Sequence, residues 1–164
     1  MAGPGPVAIM RAMTAVSMMT VEMTLPDVTE CWILDQRCFT DGEAYDRDTF
    51  RDLLGSHGVI AFKAVAGGSR MVGFVIGLVE ADGTGHVVVL GVAPEWRRQG
   101  IARELMRQAE NGFRRRGVTT LHLEVRTTNA AARQLYEELG YAVAGRRLAY
   151  YSNGDDGYLM VKTS

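Results

Sequence analysis

The sequence predicts an α/β protein of the α+β kind, a mixed and mostly antiparallel sheet of roughly six to seven strands with about four helices. Residues 59–65, 71–80 and 86–92 are apolar runs separated by Gly67-Gly68 and Asp82-Gly83. Those pairs supply the positive-φ residues of tight hairpins, so this stretch reads as antiparallel. The run 86–92 is followed by a helical pattern over 100–116 and then by the alternating strand 119–125. A strand-helix-strand succession is a crossover between parallel strands, so one parallel pair lies inside the sheet. A further helix and a terminal hairpin complete the chain.

Each element has its own signal. Residues 1–16 are expected to be a flexible leader: their apolar part has no basic region ahead of it, unlike a signal peptide, and Met10, Met13, Met18 and Met19 are candidate starts. Residues 17–164 form a single domain, whose first strand covers 17–24. Pro26-Asp27 opens a helix to about Cys38, with Cys31, Trp32 and Leu34 turned to the core. Asp41-Gly42 and neighbouring acids mark 39–46 as a loop, and residues 47–54 make a short helix ahead of Gly55. In the helix 100–116, Ile101, Leu105, Ala109 and Phe113 recur at every fourth position until Gly117 closes it. In the next strand Leu121, Leu123 and Val125 face a covering helix, so His122 and Glu124 emerge together on the opposite face. Asn129 caps a helix that runs through Leu139 to Gly140, and strands near 141–148 and 157–162 end the chain.

Composition narrows the partners. A chain of 164 residues, 47% hydrophobic, can fill one core, and a net charge of -1 argues against nucleic acid or an anionic membrane as a bulk electrostatic partner. Arg114-Arg115-Arg116 then reads as a solvated helix end that complements the dipole. No apolar run reaches the ~18 residues of a membrane span. Cys31 and Cys38 would lie about 10 Å apart along one helix, too far for a disulfide, so both read as reduced thiols and the setting as cytoplasmic. His57, His86 and His122 are scattered, without a cysteine or second histidine at ligand spacing, so no metal is expected. His122 either orients Glu124 or simply packs beside it.

The richest stretch is VVVLGVAPEWRRQGIAR, residues 87–103, where a strand passes through a basic, glycine-bearing turn into a helix. Outward-facing amides and the helix dipole make such a turn a cradle for a diphosphate. Neither G-x-x-x-x-G-K-[ST] nor G-x-G-x-x-G is present, and Gly83-Thr84-Gly85 lacks the third glycine. Instead Arg98-Gln99-Gly100-Ile101-Ala102 stands at the helix start, with Gly100 and Ala102 small enough to let backbone approach phosphate. This pattern resembles the acetyl-CoA signature of the GNAT superfamily of N-acetyltransferases. Read from the residues alone, Glu124 is either a solvated or ion-paired strand carboxylate or a carboxylate held for catalysis. Tyr136 is either core or a ring whose hydroxyl reaches a cleft.

The segment LHLEVRTTNAAARQLYEELGY, residues 121–141, is similar to the bacterial ribosomal-protein N-terminal alanine acetyltransferases and to related archaeal and eukaryotic N-alpha-acetyltransferases. The likeness continues through Arg146-Arg147-Leu148-Ala149-Tyr150-Tyr151 and Asp155-Asp156-Gly157-Tyr158. It implies a splayed parallel strand pair forming an acetyl-CoA cleft, with Glu124 as general base and Tyr136 as general acid. It also implies that the backbone of Leu90, Gly91 and Val92 pairs with the pantetheine and acetyl groups. Arg98, Gln99, Gly100, Ile101, Ala102 and Arg103 would wrap the diphosphate, and Asn129 would bond the pantetheine arm. Tyr150 and Tyr151 would line a peptide groove, and Phe39 to Tyr45 would take the place of the substrate loop. The Pro-Trp pair common in the bacterial members is absent from that loop, which leaves the peptide preference open. Neither cysteine falls in the segments that would form the site.

The resemblance thus implies transfer of acetyl from acetyl-CoA to the α-amine of a protein or peptide N-terminus, without metal, by a monomer or weak homodimer. The alternatives are a small amine or lysine acceptor, or an acyl-CoA sensor without turnover. An α-amine with pKa near ~8, against ~10.4 for lysine, is the easier nucleophile for a carboxylate of ordinary strength.

Overall fold

The computed structural model describes residues 18–39 and 43–164; the expected leader and the Asp41-Gly42 turn lie outside the described residues. Strand β1 (Met18–Glu22) is followed by a short 3-10 turn, Leu25–Asp27, and helix α1 (Val28–Cys38). Asp27 closes that turn by accepting from the Thr24 N–H at 2.8 Å, so the α-helix begins at Val28, beyond the Pro26 start expected from sequence. Helix α2 (Arg47–Leu54) follows, opened by Asp46, whose carboxylate accepts from the Thr49 N–H at 2.8 Å. Next come β2 (Val59–Ala66), β3 (Arg70–Val79) and β4 (Gly85–Val92). The crossover is α3 (Ile101–Arg115), leading to β5 (Thr120–Arg126). Helix α4 (Ala130–Glu138), β6 (Ala142–Arg147) and β7 (Gly157–Thr163) end the chain.

The strands form one seven-stranded sheet in the order β1-β2-β3-β4-β5-β7-β6. All neighbours are antiparallel except β4 and β5, and the terminal hairpin inserts β7 between β5 and β6. On one face α3 buries Leu105, Met106, Ala109 and Phe113 against Val72, Val75, Leu121 and Leu123. On the other, α1 and α2 bury Cys31, Leu34, Phe50 and Leu54 against Phe74, Ile76 and Val89, with Phe50 and Phe74 packed edge to face at 5.9 Å. Each of the valine, leucine, isoleucine, methionine and phenylalanine side chains among them contributes about 1.5–3 kcal/mol through removal from water. The buried Glu110 of α3 accepts from Tyr141 at 2.8 Å and pairs with Lys162 at 2.9 Å, fixing the crossover helix to the last strands. No helix among the described residues is long and apolar enough to cross a membrane.

Two irregularities shape the centre of the sheet. Parallel pairing of β4 with β5 covers Gly85↔Leu121 and His86↔His122, and beyond those positions the strands part. A Cβ on Gly85 would lie 2.5 Å from Leu121 Cδ2, so this close approach requires glycine. In β4 the register against β3 steps from Val87 to Val89, leaving Val88 as an extra residue. Such a bulge breaks the strict alternation. Val87 consequently joins the core under α3, while Val89 joins the core under α1 and α2.

Candidate active site

The parted ends of β4 and β5 open a cleft of about 1120 Å³. One rim of it is the turn into α3. Gly100 is the N-cap residue with φ +80°, Arg98 has φ +63°, and a Cβ on Gly100 would point into open space. The first-turn amides of a helix have no intrahelical acceptor, so they remain available to a bound anion. Leu90, Gly91 and Val92 line the cleft, as do Arg98, Gly100, Ile101, Ala102 and Arg103. Gln99 is the one member of the expected cradle that does not. Arg103 also pairs with Glu138 on α4. Asn129 lines the cleft while its Oδ1 accepts from the Ala132 N–H at 3.1 Å, which leaves its amide nitrogen as the donor for a ligand.

Backbone direction follows from the same strand. The Ala93 N–H bonds back to Val72 O at 2.8 Å, so by alternation the Val92 N–H points the other way, into the gap beside β5. Arg97, which sequence reasoning passed over, donates to Val92 O at 3.1 Å and to Cys38 O at 3.4 Å, tying the turn to both strand and α1. Cys38 itself lines the cleft, contrary to the expectation that neither cysteine lies near the site: α1 ends against Gly91, where a Cβ would sit 3.3 Å from the sulfur. Burial pushes its thiol up to about 11 against the pull of Arg97, so it is a neutral packing group and not a nucleophile.

Glu124 and Tyr136 both face the cleft. Glu124 is a side chain 8% exposed, held by the imidazole of His86 at 2.9 Å and by Arg147 Nε at 3.2 Å. Burial raises its pKa, but the bond from His86 and the charges of His86, Arg147 and His122 outweigh that and leave the carboxyl below its ordinary value. Tyr136 packs against Tyr141 at 6.0 Å, and burial pushes its phenol far above the usual tyrosine range.

Phe39, Tyr45, Tyr150 and Tyr151 are also among the residues that line the cleft. Tyr45 is clamped at both backbone groups: its N–H donates to Asp35 at 2.9 Å, and its carbonyl accepts from Gln36 at 2.9 Å. Asp35 is wholly buried and its carboxyl is pushed up to about 6, mainly by burial, although the Tyr45 N–H opposes the shift. Arg126 lines the cleft as well and lies outside the set of site residues expected from sequence. It pairs with Glu43 at 2.6 Å and Asp155 at 2.7 Å, with its guanidinium 4.5 Å from the Tyr151 ring centre. Its signal in the sequence is the arginine that ends an otherwise apolar-alternating strand, which must find counter-charges once buried.

The histidines are less scattered than the sequence suggests. Register places His86 directly opposite His122, and their rings stack at 4.6 Å with an interplanar angle of 14°. His122 bonds Glu80 at 3.1 Å. Two short carboxylate-imidazole contacts therefore meet at the point where the strands begin to part.

The family and the fold are shared with known proteins. The profile described as the acetyltransferase (GNAT) family matches residues 26–141. The catalytic subunit NAA20 of the N-terminal acetyltransferase B complex of Arabidopsis thaliana is 39% identical over 99 residues, 58% of this chain and 57% of that protein. The [ribosomal protein bS18]-alanine N-acetyltransferase of Escherichia coli K12 is 41% identical over 86 residues, 52% of this chain and 57% of the relative. In each case the matched segment spans a little over half of the relative's length. The crystal structure of the ribosomal-protein-S18-alanine N-acetyltransferase from Escherichia coli superposes with a TM-score of 0.80 at 29% identity, covering 90% of this chain and 94% of that one.

Proposed function

Because the chain belongs to the acetyltransferase (GNAT) family, we propose that it moves an acetyl group from acetyl-CoA to the α-amine of a protein N-terminus. The observation that supports this reading is that Glu124 and Tyr136 line one cleft together with the glycine-bearing turn into α3 and with Tyr45, Tyr150 and Tyr151. The cleft is large enough for the donor, since at about 1120 Å³ it slightly exceeds the usual range of ligand-site volumes. The left-handed Gly100 and the open space before it leave room for a diphosphate. The donor supplies an acyl thioester, already activated for attack.

The chain's own residues do the rest. Glu124 is ionised throughout the neutral range, so it accepts an N–H from the acceptor amine and aims the nitrogen lone pair. Moving a proton outright from the ammonium form of the acceptor, with pKa about 8, to a carboxyl held below its ordinary value is uphill. Glu124 therefore orients the amine and takes the proton only as the nitrogen becomes acidic on attack, directly or through one water. The Val92 N–H faces the gap and stabilises the oxygen that gains charge, an interaction worth on the order of 3 kcal/mol in comparable sites. Tyr136, held neutral by burial, keeps its proton for the departing sulfur. No covalent enzyme intermediate enters, and Cys38 stays a thiol.

The test is a library of peptides with free and blocked N-termini, incubated with the protein and acetyl-CoA and read by mass spectrometry. Acetyl on the α-nitrogen is the expected product. Acetyl on lysine side chains of blocked peptides, or transfer to small amines alone, overturns the acceptor. Coenzyme binding without thioester consumption overturns the enzymatic reading itself.

A further inference from the structure

We propose that Glu80, His86 and His122 bind one divalent transition-metal ion, Zn²⁺ foremost, at the closed end of the split between β4 and β5, and that the bound ion inhibits acetyl transfer. Each of the three offers a ligand atom, and these atoms lie within 4.8 Å of one another. Two imidazoles and a carboxylate are a ligand set that suits Zn²⁺, with bonds of about 2.0–2.1 Å and donors about 3.4 Å apart. Closing from the present spacing takes a movement of about an ångström or somewhat more. Glu80 can supply it, since its side chain is 40% exposed and His122 is its partner.

The two rings start close and must turn. They project from directly opposed positions of hydrogen-bonded strands and stack at 4.6 Å, so rotation about the side-chain torsions, without backbone movement, brings their nitrogens to converge on one ion. Each side chain keeps about one fifth of its surface open, which gives an ion a path from solvent. Glu80 is brought to them by the β3–β4 turn, in which its N–H donates to Thr84 O at 2.8 Å. Without an ion each imidazole satisfies itself on a carboxylate, His86 on Glu124 and His122 on Glu80. An ion in the cluster recruits His86 and sets a double positive charge beside Glu124. That charge holds the carboxylate away from the acceptor amine, and this inhibitory half rests on the role proposed for Glu124 above.

The experiment titrates the full chain with Zn²⁺ by calorimetry and with Co²⁺ by visible absorption. One ion per chain is expected, with Co²⁺ bands characteristic of nitrogen and oxygen ligands. His122→Ala and Glu80→Gln should each weaken binding by at least about tenfold. Melting curves in chelator check that each variant folds, and Glu80→Gln alters an exposed side chain should His122→Ala not fold. Absent binding, or equal binding by wild type and Glu80→Gln, overturns the site. In the acetylation assay Zn²⁺ should slow the wild type and not Glu80→Gln, each relative to its own metal-free rate; ion binding without that difference overturns the inhibition. Binding is measured without acceptor or donor, so failure of the metal site and failure of the acetyl-transfer reading are separate results.

Discussion

Glu124 is kept charged by neighbours that have nothing to do with its position in the sequence: His86 comes from a strand 38 residues earlier and Arg147 from one 23 residues later. Its depressed pKa means that ionisation of Glu124 is complete well below neutrality. The rise of activity toward alkaline pH then belongs to the acceptor amine, with pKa about 8. Glu124→Gln should accordingly lower turnover roughly a hundredfold or more while keeping the shape of that rise and the affinity for coenzyme A. Unchanged turnover would remove Glu124 from the chemistry. Asp35 behaves in the opposite sense. Its folded pKa of about 6 is raised above the unfolded value of about 3.9, so the fold favours its neutral form. The associated stability is present below about pH 4 and is lost as pH climbs through about 6, a difference on the order of 3 kcal/mol. Denaturant melts at about pH 4.5 and about pH 7 should show a smaller loss in Asp35→Asn than in wild type. Parallel losses would contradict the buried-acid assignment.

Among the elements, the start of α3 was readable because everything it needs is consecutive: strand, basic turn, Gly100, amphipathic helix. Gly100 is also where substitution is most informative. An L residue at φ +80° costs about 1–2 kcal/mol, and its side chain would project into the open space that the diphosphate requires. Gly100→Val should weaken coenzyme A binding at least about tenfold by calorimetry, and normal affinity would refute the cradle. The pattern of the surrounding strand and helix placed Glu124 and Tyr136 but left each between two readings, and their proposed roles came from the family resemblance. The clamp on Tyr45 and the Glu43-Arg126-Asp155 network were not, because they join segments that periodicity cannot relate. The stacked histidines were hidden for the same reason: only the parallel register brings residues 86 and 122 face to face. The β4 bulge was invisible too, since an unbroken run of three valines shows no change of phase.

At the scale of the whole molecule, the order of the sheet and its two helical layers follow from hairpin turns, one crossover and a closing hairpin. On the proposed reading coenzyme A would bind across the central split and contact both halves of the sheet, so it should stabilise the domain as a unit. At about a hundredfold excess over Kd the gain is about 2.7 kcal/mol, which should raise Tm by about 5–10 °C in a scanning experiment. A melting point indifferent to the coenzyme would contradict the cleft. The supernumerary Val88 carries one more implication. Because of it, β4 is read in two frames, histidine side first and coenzyme side after. Excising that one valine would set Val87 directly beside Val89 while Gly77 and Ile76 stay opposite them, so the triplet Leu90-Gly91-Val92 would keep its face and the strand would lose its bend. Straightened, β4 would leave its parallel partner less sharply, and the opening between the two would shrink.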